Sequence, residues 1–249
     1  MATFRQRWTC SVTAASRWFG HDWGAPVAWH LAVLEPERVK VVAGIPVPYG
    51  GRPKKPAIDI VRKQFADRFN YILYFQQPGV AEAELDQDVA RTLRIMMHNT
   101  SAAVSMDFSL QEKPAGSLLL DHMQDPGDPP AWCGLDAFSV YLPTFEGRGF
   151  SGALNWYRNF ERNWARTALL ADRKVLQPAL FLLGDKDPVG TLETHSLQKM
   201  PAVVPDLEQH LIANCEHWLQ GEQPEQVSQL VLTFLSAVIP QRVDLTSRR

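Results

Sequence analysis

Three short segments carry side chains whose types and spacing can do covalent chemistry. Gly20-His21-Asp22-Trp23-Gly24 sets a carboxylate between two glycines directly before a helical pattern. Small residues two positions either side let a strand and a helix meet at a sharp turn that thrusts the middle side chain outward. The same turn aims the backbone N–H of Trp23 at the reacting group, at a helix N-terminus. Gly184-Asp185-Lys186-Asp187-Pro188 follows a strand-like run, and Cys215-Glu216-His217-Trp218 lies between the last strand candidate and the last helix. Read singly, Asp22 is an N-cap, Asp187 a turn aspartate and His217 a surface or core histidine. Read together, the order nucleophile, acid, histidine fits one hydrolytic triad, and the thirty positions from Asp187 to His217 leave room for one helix and one strand.

An aspartate nucleophile narrows the chemistry. A carboxylate suits displacement at an sp³ carbon, which leaves an ester on the protein. Water deprotonated by His217, with Asp187 orienting the imidazole, would then hydrolyse that ester. A halide leaves such a carbon unaided, whereas the alkoxide of an opened epoxide needs an acid. Tyr71, in Phe69-Asn70-Tyr71-Ile72-Leu73-Tyr74, and Tyr157, in Asn155-Trp156-Tyr157-Arg158-Asn159, are the candidate acids. A phenol can hydrogen-bond the epoxide oxygen at neutral pH and release its proton as the alkoxide forms. On composition alone these tyrosines read more simply as helix-packing residues.

The surrounding elements must hold these groups together. Gly24 to Leu34 carries apolar residues at helical spacing, and Val39 to Ile45 reads as a buried parallel strand. Residues 50–170 look different: helical stretches run from about Ile58, over Ala81–Met97, Asp136–Phe145 and Gly152–Leu170, with a Pro/Gly-rich loop at 124–130 and no strong strand. The pattern then returns to α/β, with a strand at Ala179–Leu183, a weaker strand at Leu207–Ile212 and an amphipathic helix over Gln223–Val238. A sheet interrupted by a helical block and then resumed predicts a doubly wound α/β core with a lid, with ligands at the carboxyl ends of the strands. The expected division is an atypical segment 1–18, a core of 19–49 and 171–240, a helical lid over 50–170 and a loose tail at 241–249.

Composition excludes several classes. At 249 residues and 45% apolar content the chain can bury a sizeable core. The net charge of −2 gives no basic excess for nucleic acid. Cys10, Cys133 and Cys215 are odd in number and widely spaced, so neither a disulfide framework nor a metal site is indicated, and a reducing, cytoplasmic location fits. No apolar run approaches the roughly 18–20 residues of a membrane span. No cofactor is expected. Eight tryptophans and twelve phenylalanines leave some aromatic side chains for an apolar pocket beyond those that pack the core. Residues 1–18 are weakly like a transit peptide, but cleavage there would remove most of the strand entering the Asp22 turn.

The segments GHDWGAPVAW, YILYFQQPGVAEAEL, GALNWYRNFERNW and the GDKDP…CEHW ending resemble the soluble epoxide hydrolase family, bacterial members especially, over about residues 19–237. The resemblance implies an α/β-hydrolase fold and conversion of a small-molecule epoxide to a vicinal diol. It implies Asp22 as nucleophile, Asp187 as charge partner, His217 as base, Tyr71 and Tyr157 as oxirane-binding acids, and the Trp23 amide as an oxyanion donor. Trp23 and Trp156 are expected to line the substrate pocket; Tyr74, one turn from Tyr71, is the nearest wrong choice. A haloalkane dehalogenase shares the Asp-His-Asp logic, but it would want halide-binding donors where this chain has two tyrosines.

Two departures qualify the resemblance. The family has several strands and an H-G-x-P-type loop before the nucleophile turn, where this chain offers about eighteen residues. That predicts a partial parallel sheet with the N-terminal strands missing, a damaged oxyanion hole, an aggregation-prone scaffold and, at the extreme, an inactive truncated family member; a truncated gene, alternative start or mispredicted exon would account for it. The second is Glu216, where the family usually has glycine; its side chain either crowds the turn or raises the basicity of His217.

Overall fold

The structure, a computed structural model, describes residues 16–104 and 113–238. The expectations for the first fifteen residues, including Cys10, and for the tail 241–249 lie outside the described residues.

Four strands form one parallel sheet in sequential order: β1 (Ser16–His21), β2 (Val39–Ile45), β3 (Ala179–Gly184) and β4 (Leu207–Ile212). Every residue of β3 is buried and β2 exposes only Lys40, as expected of central strands covered on both faces. The first connection is helix α1 (Gly24–Leu34), whose Ala25, Ala28, Trp29 and Ala32 pack on one face of the sheet with Val42, Phe181 and Met200. Trp29 is fully buried and donates from its indole to the carbonyl of Val47 at 3.0 Å. Gly44 leaves room for that ring, because a Cβ there would overlap it. The opposite face, with Val41, Ala43, Leu180 and Leu182, packs against Val227 and Phe234 of the C-terminal helix Pro224–Val238. Helices on both faces of a parallel sheet are the doubly wound arrangement, here an α/β-hydrolase fold.

Between β2 and β3 the described residues form helices joined by loops: α2 (Ala57–Gln64), α3 (Tyr71–Tyr74), α4 (Val80–Leu85), α5 (Val89–Asn99), α6 (Gly134–Glu146), α7 (Ser151–Arg158) and α8 (Phe160–Arg166). Its β structure among the described residues is a single bridge, Arg68 to Pro114. This block has its own apolar cluster, with Phe69, Phe75, Leu93, Ile95, Phe150 and Leu154 buried. The long helix expected over 81–97 is two helices. Asp88 caps the second, accepting from the Arg91 amide at 2.9 Å, and Asp86 turns away to accept from the Phe150 amide. The stretch expected as one helix over 152–170 likewise breaks at Asn159 and ends in a 3₁₀ turn at Ala168–Leu170.

After β3 come the short α9 (Val189–Leu192), α10 (Thr194–Val203), α11 (Leu219–Glu222) and α12 (Pro224–Val238). Among the described residues no helix is long and apolar enough to cross a membrane.

Candidate active site

The turn between β1 and α1 puts Asp22 at positive φ, 49°, a conformation that costs energy for a residue with a Cβ and that persists where the surroundings enforce it. Its amide donates to the Ile45 carbonyl at 2.7 Å, which extends the β1–β2 ladder through the turn. Gly20 is required here, since a Cβ would collide with the Gly24 backbone; Gly24 itself faces open space. The tight packing expected of both glycines therefore belongs to Gly20. The N-cap position of α1 is Trp23 and no side chain caps it, so Asp22 is not spent as a cap.

His217 reaches this turn from the loop after β4. Its Nε2 lies 3.4 Å from Asp22 Oδ1, and its Nδ1 donates to Asp187 Oδ2 at 3.1 Å. Asp187 has a fully buried carboxylate whose other oxygen accepts from the Val189 amide at 2.8 Å. The loops carrying Asp187 and His217 are zipped together. The Lys186 amide donates to the Cys215 carbonyl and the Cys215 amide to Asp185 Oδ1. Gly184 permits this approach, because a Cβ there would run into the carbonyls of Cys215 and Glu216.

The charges follow from these contacts. Burial alone would lower the His217 pKa; the hydrogen bonds and charges of Asp187 and Asp22 overcome it and raise it to about 10. Burial would raise the Asp22 pKa, but the hydrogen bond and charge of His217, with help from the Trp23 amide, bring it below the ordinary value. The resting pair is thus a carboxylate facing an imidazolium.

Two tyrosines close the other side. Tyr71 begins α3 and Tyr157 lies in the last turn of α7, with ring centroids 5.7 Å apart at 81°. Burial, with the negative charge of Asp22 adding to it, raises the pKa of both phenols, so both stay protonated well beyond neutral pH. Their spacing is fixed by a clamp. Arg158 forms a double hydrogen bond to Glu82 (2.7 and 2.9 Å) and donates to the Phe75 carbonyl at 2.8 Å. Gln76 donates to the carbonyls of Ile72 and Tyr157. Tyr74 is engaged elsewhere. Its hydroxyl donates to Glu84 at 2.9 Å, and Glu84 also accepts from the amides of Leu119 and Leu120.

Trp23 meets Tyr157 edge-on at 5.2 Å and Phe160 at 5.2 Å, and stacks with Trp156 at 6.0 Å. Trp156 is the outer member and is 48% exposed. The structure therefore brings Asp22, Asp187, His217, Tyr71, Tyr157 and Trp23 into one cluster, with Trp156 at its rim. Sequence reasoning overlooked His21, whose Nε2 donates to the His217 carbonyl at 2.8 Å and whose ring packs against both His217 and Trp218. Its position beside Asp22 was the available signal. Phe75 and Phe160, which back Tyr157 and Trp23, were likewise overlooked.

Comparison with known proteins gives a consistent result. The chain is similar to epoxide hydrolase A of Mycobacterium tuberculosis, with 40% identity over 227 residues that cover 89% of this chain and 69% of that protein. It is similar to bifunctional epoxide hydrolase 2 of Rattus norvegicus, 35% identical over 92% of this chain and 40% of that protein's length. Among solved structures, epoxide hydrolase A from Mycobacterium thermoresistibile superposes with a TM-score of 0.81 at 38% identity, covering 91% of this chain and 70% of that one. An epoxide hydrolase from an endophytic Streptomyces gives 0.83 at 33% identity, covering 88% and 67%. No protein-family model matches the chain.

Proposed function

The chain belongs to the epoxide hydrolase family of α/β-hydrolases, and from that premise we propose that it opens a small-molecule epoxide to a vicinal diol through an ester on Asp22. The observation that carries the reading is the imidazole of His217 held between Asp22 and the buried Asp187, with two protonated tyrosines across from it.

The epoxide oxygen accepts hydrogen bonds from Tyr71 and Tyr157. An Asp22 oxygen attacks one ring carbon, the carbon–oxygen bond breaks, and a tyrosine proton moves to the new alkoxide. With the Asp22 charge lost to the ester, His217 gives its proton to the tyrosinate, and the neutral imidazole then takes a proton from water, whose oxygen adds to the ester carbonyl carbon of Asp22. The Trp23 amide donates to the resulting oxyanion. Collapse expels the diol oxygen, which takes the hydroxyl proton of the intermediate, and Asp22 returns to a carboxylate facing the imidazolium of His217. The sum is epoxide plus water giving diol. Positioned acid catalysis of this kind is worth about 10²–10⁴-fold. Trp23, Trp156 and Phe160 form an apolar wall suited to a hydrocarbon substituent. Two phenols suit an alkoxide leaving group better than a halide, which disfavours dehalogenation.

In this reading residues 50–170 act as a lid over the carboxyl edge of the sheet. A reducing compartment such as the cytoplasm suits the free, buried Cys133 and Cys215.

Diol formation from styrene oxide tests the proposal, with the chain measured beside its Asp22→Ala and Tyr157→Phe variants. Turnover should vanish in Asp22→Ala and fall by about 10²-fold in Tyr157→Phe. A folded, soluble chain with no turnover would place it among inactive family members.

A further inference from the structure

One carboxylate outside the triad gathers the backbone on both sides of the histidine. Glu222, at the end of α11, accepts through Oε1 from the amides of Glu216 (3.3 Å) and Trp218 (3.2 Å), the two neighbours of His217. Through Oε2 it accepts from the amide of Ala102 at 2.8 Å, just past α5 in the helical block. Trp218 makes a second link to that block: its indole donates to Thr100 Oγ1 at 2.8 Å and stacks on Trp132 at 5.1 Å. Gly221 is bare for the same reason, because a Cβ there would enter the Trp132 ring. The histidine loop is thus pinned to the loop after β3 by Asp185 and, through Glu222, to the backbone of the helical block at Ala102.

We infer that Glu222 is a positioning residue which fixes His217 relative to Asp22, and that it acts on hydrolysis of the ester rather than on its formation. The inference rests on the reading of Asp22 as nucleophile and His217 as base. Ester formation draws on Asp22 and the two tyrosines, none of which Glu222 touches. Hydrolysis requires Nε2 of His217 to hold a water against Asp22, where a displacement of about 1 Å can cost about 10²-fold. Both oxygens of Glu222 are used as acceptors. A glutamine of the same size has one acceptor oxygen, and its NH₂ group would oppose an N–H of either the histidine loop or Ala102.

The test mixes the full chain rapidly with styrene oxide and follows the ester, by intact mass of quenched protein, together with the diol. Wild type is compared with Glu222→Gln and Glu222→Ala, each checked by thermal melting. In Glu222→Gln, ester formation should stay within about twofold while its hydrolysis slows by about tenfold or more, so that the ester accumulates. Hydrolysis at the wild-type rate, or both steps falling together, overturns the inference while leaving the proposed reaction intact. Unfolding of both variants assigns Glu222 to stability and overturns it as well. Absence of any ester in folded wild type overturns the underlying reaction, a result distinct from the other three.

Discussion

At the scale of single residues, the proposed reaction makes the site a charge arrangement that changes as the ester forms. His217 is flanked by two carboxylates, and against the effect of burial they hold its pKa near 10. A base that holds its proton so firmly would be a poor one throughout. Esterification removes the charge of Asp22 and one of the two hydrogen bonds that favour imidazolium, so only Asp187 still raises the pKa. The imidazole therefore gives up its proton more easily once the ester exists, the stage at which a base is required. The expected outcome is an ester-decay rate that rises with pH through a value below the His217 pKa of the free chain. Single-turnover decay of the ester across pH, set beside an NMR titration of His217 before substrate, checks it; a decay limb at or above the free value would contradict the argument. The meeting of Asp22, Asp187 and His217 was legible in sequence because their spacing obeys chain topology. His21 and Glu222 were not, since a lone polar residue acquires its role only from partners brought up by folding, here the His217 carbonyl and the amides around it.

At the scale of elements, the two proposed acids, Tyr71 and Tyr157, depend on how α3, α4 and α7 are tied together. Arg158 follows Tyr157 directly and meets Glu82 with both side chains nearly buried, at 11% and 14% exposure. The hydrogen bond to Arg158 acts first among the influences on Glu82 and brings its pKa down to about 2. A carboxylate depressed in the fold contributes stability above its ordinary pKa and loses it as pH falls toward the depressed one. The clamp should accordingly weaken between about pH 5 and 2. Arg158→Ala leaves Glu82 without its cation and should cost about 3 kcal/mol of stability. With Tyr157 loosened, kcat/KM for epoxides should drop by about tenfold or more. Urea unfolding gives the first quantity and initial rates the second; a stable variant with unchanged kcat/KM would show that the tyrosines are held by ring packing instead. Helix periodicity revealed that this block is helical but missed its breaks. The apolar spacing runs on across Asp86-Gln87-Asp88, and only the capping bond of Asp88 and the outward contact of Asp86 show that two helices meet there. Tyr71 and Tyr74 have similar local sequence; the family resemblance chose Tyr71, and the tertiary contact with Glu84 gives the physical reason that Tyr74 is engaged elsewhere.

At the scale of the whole molecule, the order α/β, helical block, α/β was visible in composition because buried parallel strands read as short β-branched runs. What composition could not show is how the sheet ends. Among the described residues β1 and β4 are the outer strands, and each exposes a large apolar side chain, Phe19 at 40% and Leu211 at 65%. An outer strand offers unpaired N–H and C=O groups, and an apolar side chain beside them favours pairing with another chain. Arg17 is exposed one alternation away from Phe19 and opposes that pairing with its charge. The balance predicts reversible self-association that grows with concentration and that Phe19→Lys diminishes. Phe19 is exposed, so the substitution should shift stability by no more than about 0.5 kcal/mol and leave diol formation within about twofold. Light scattering coupled to size exclusion across a concentration series checks this. A wild-type chain that stays monomeric throughout would mean that the β1 edge is already shielded, whereas association unchanged in Phe19→Lys would move the contact to another surface, with the exposed Leu211 edge as the next strand to test.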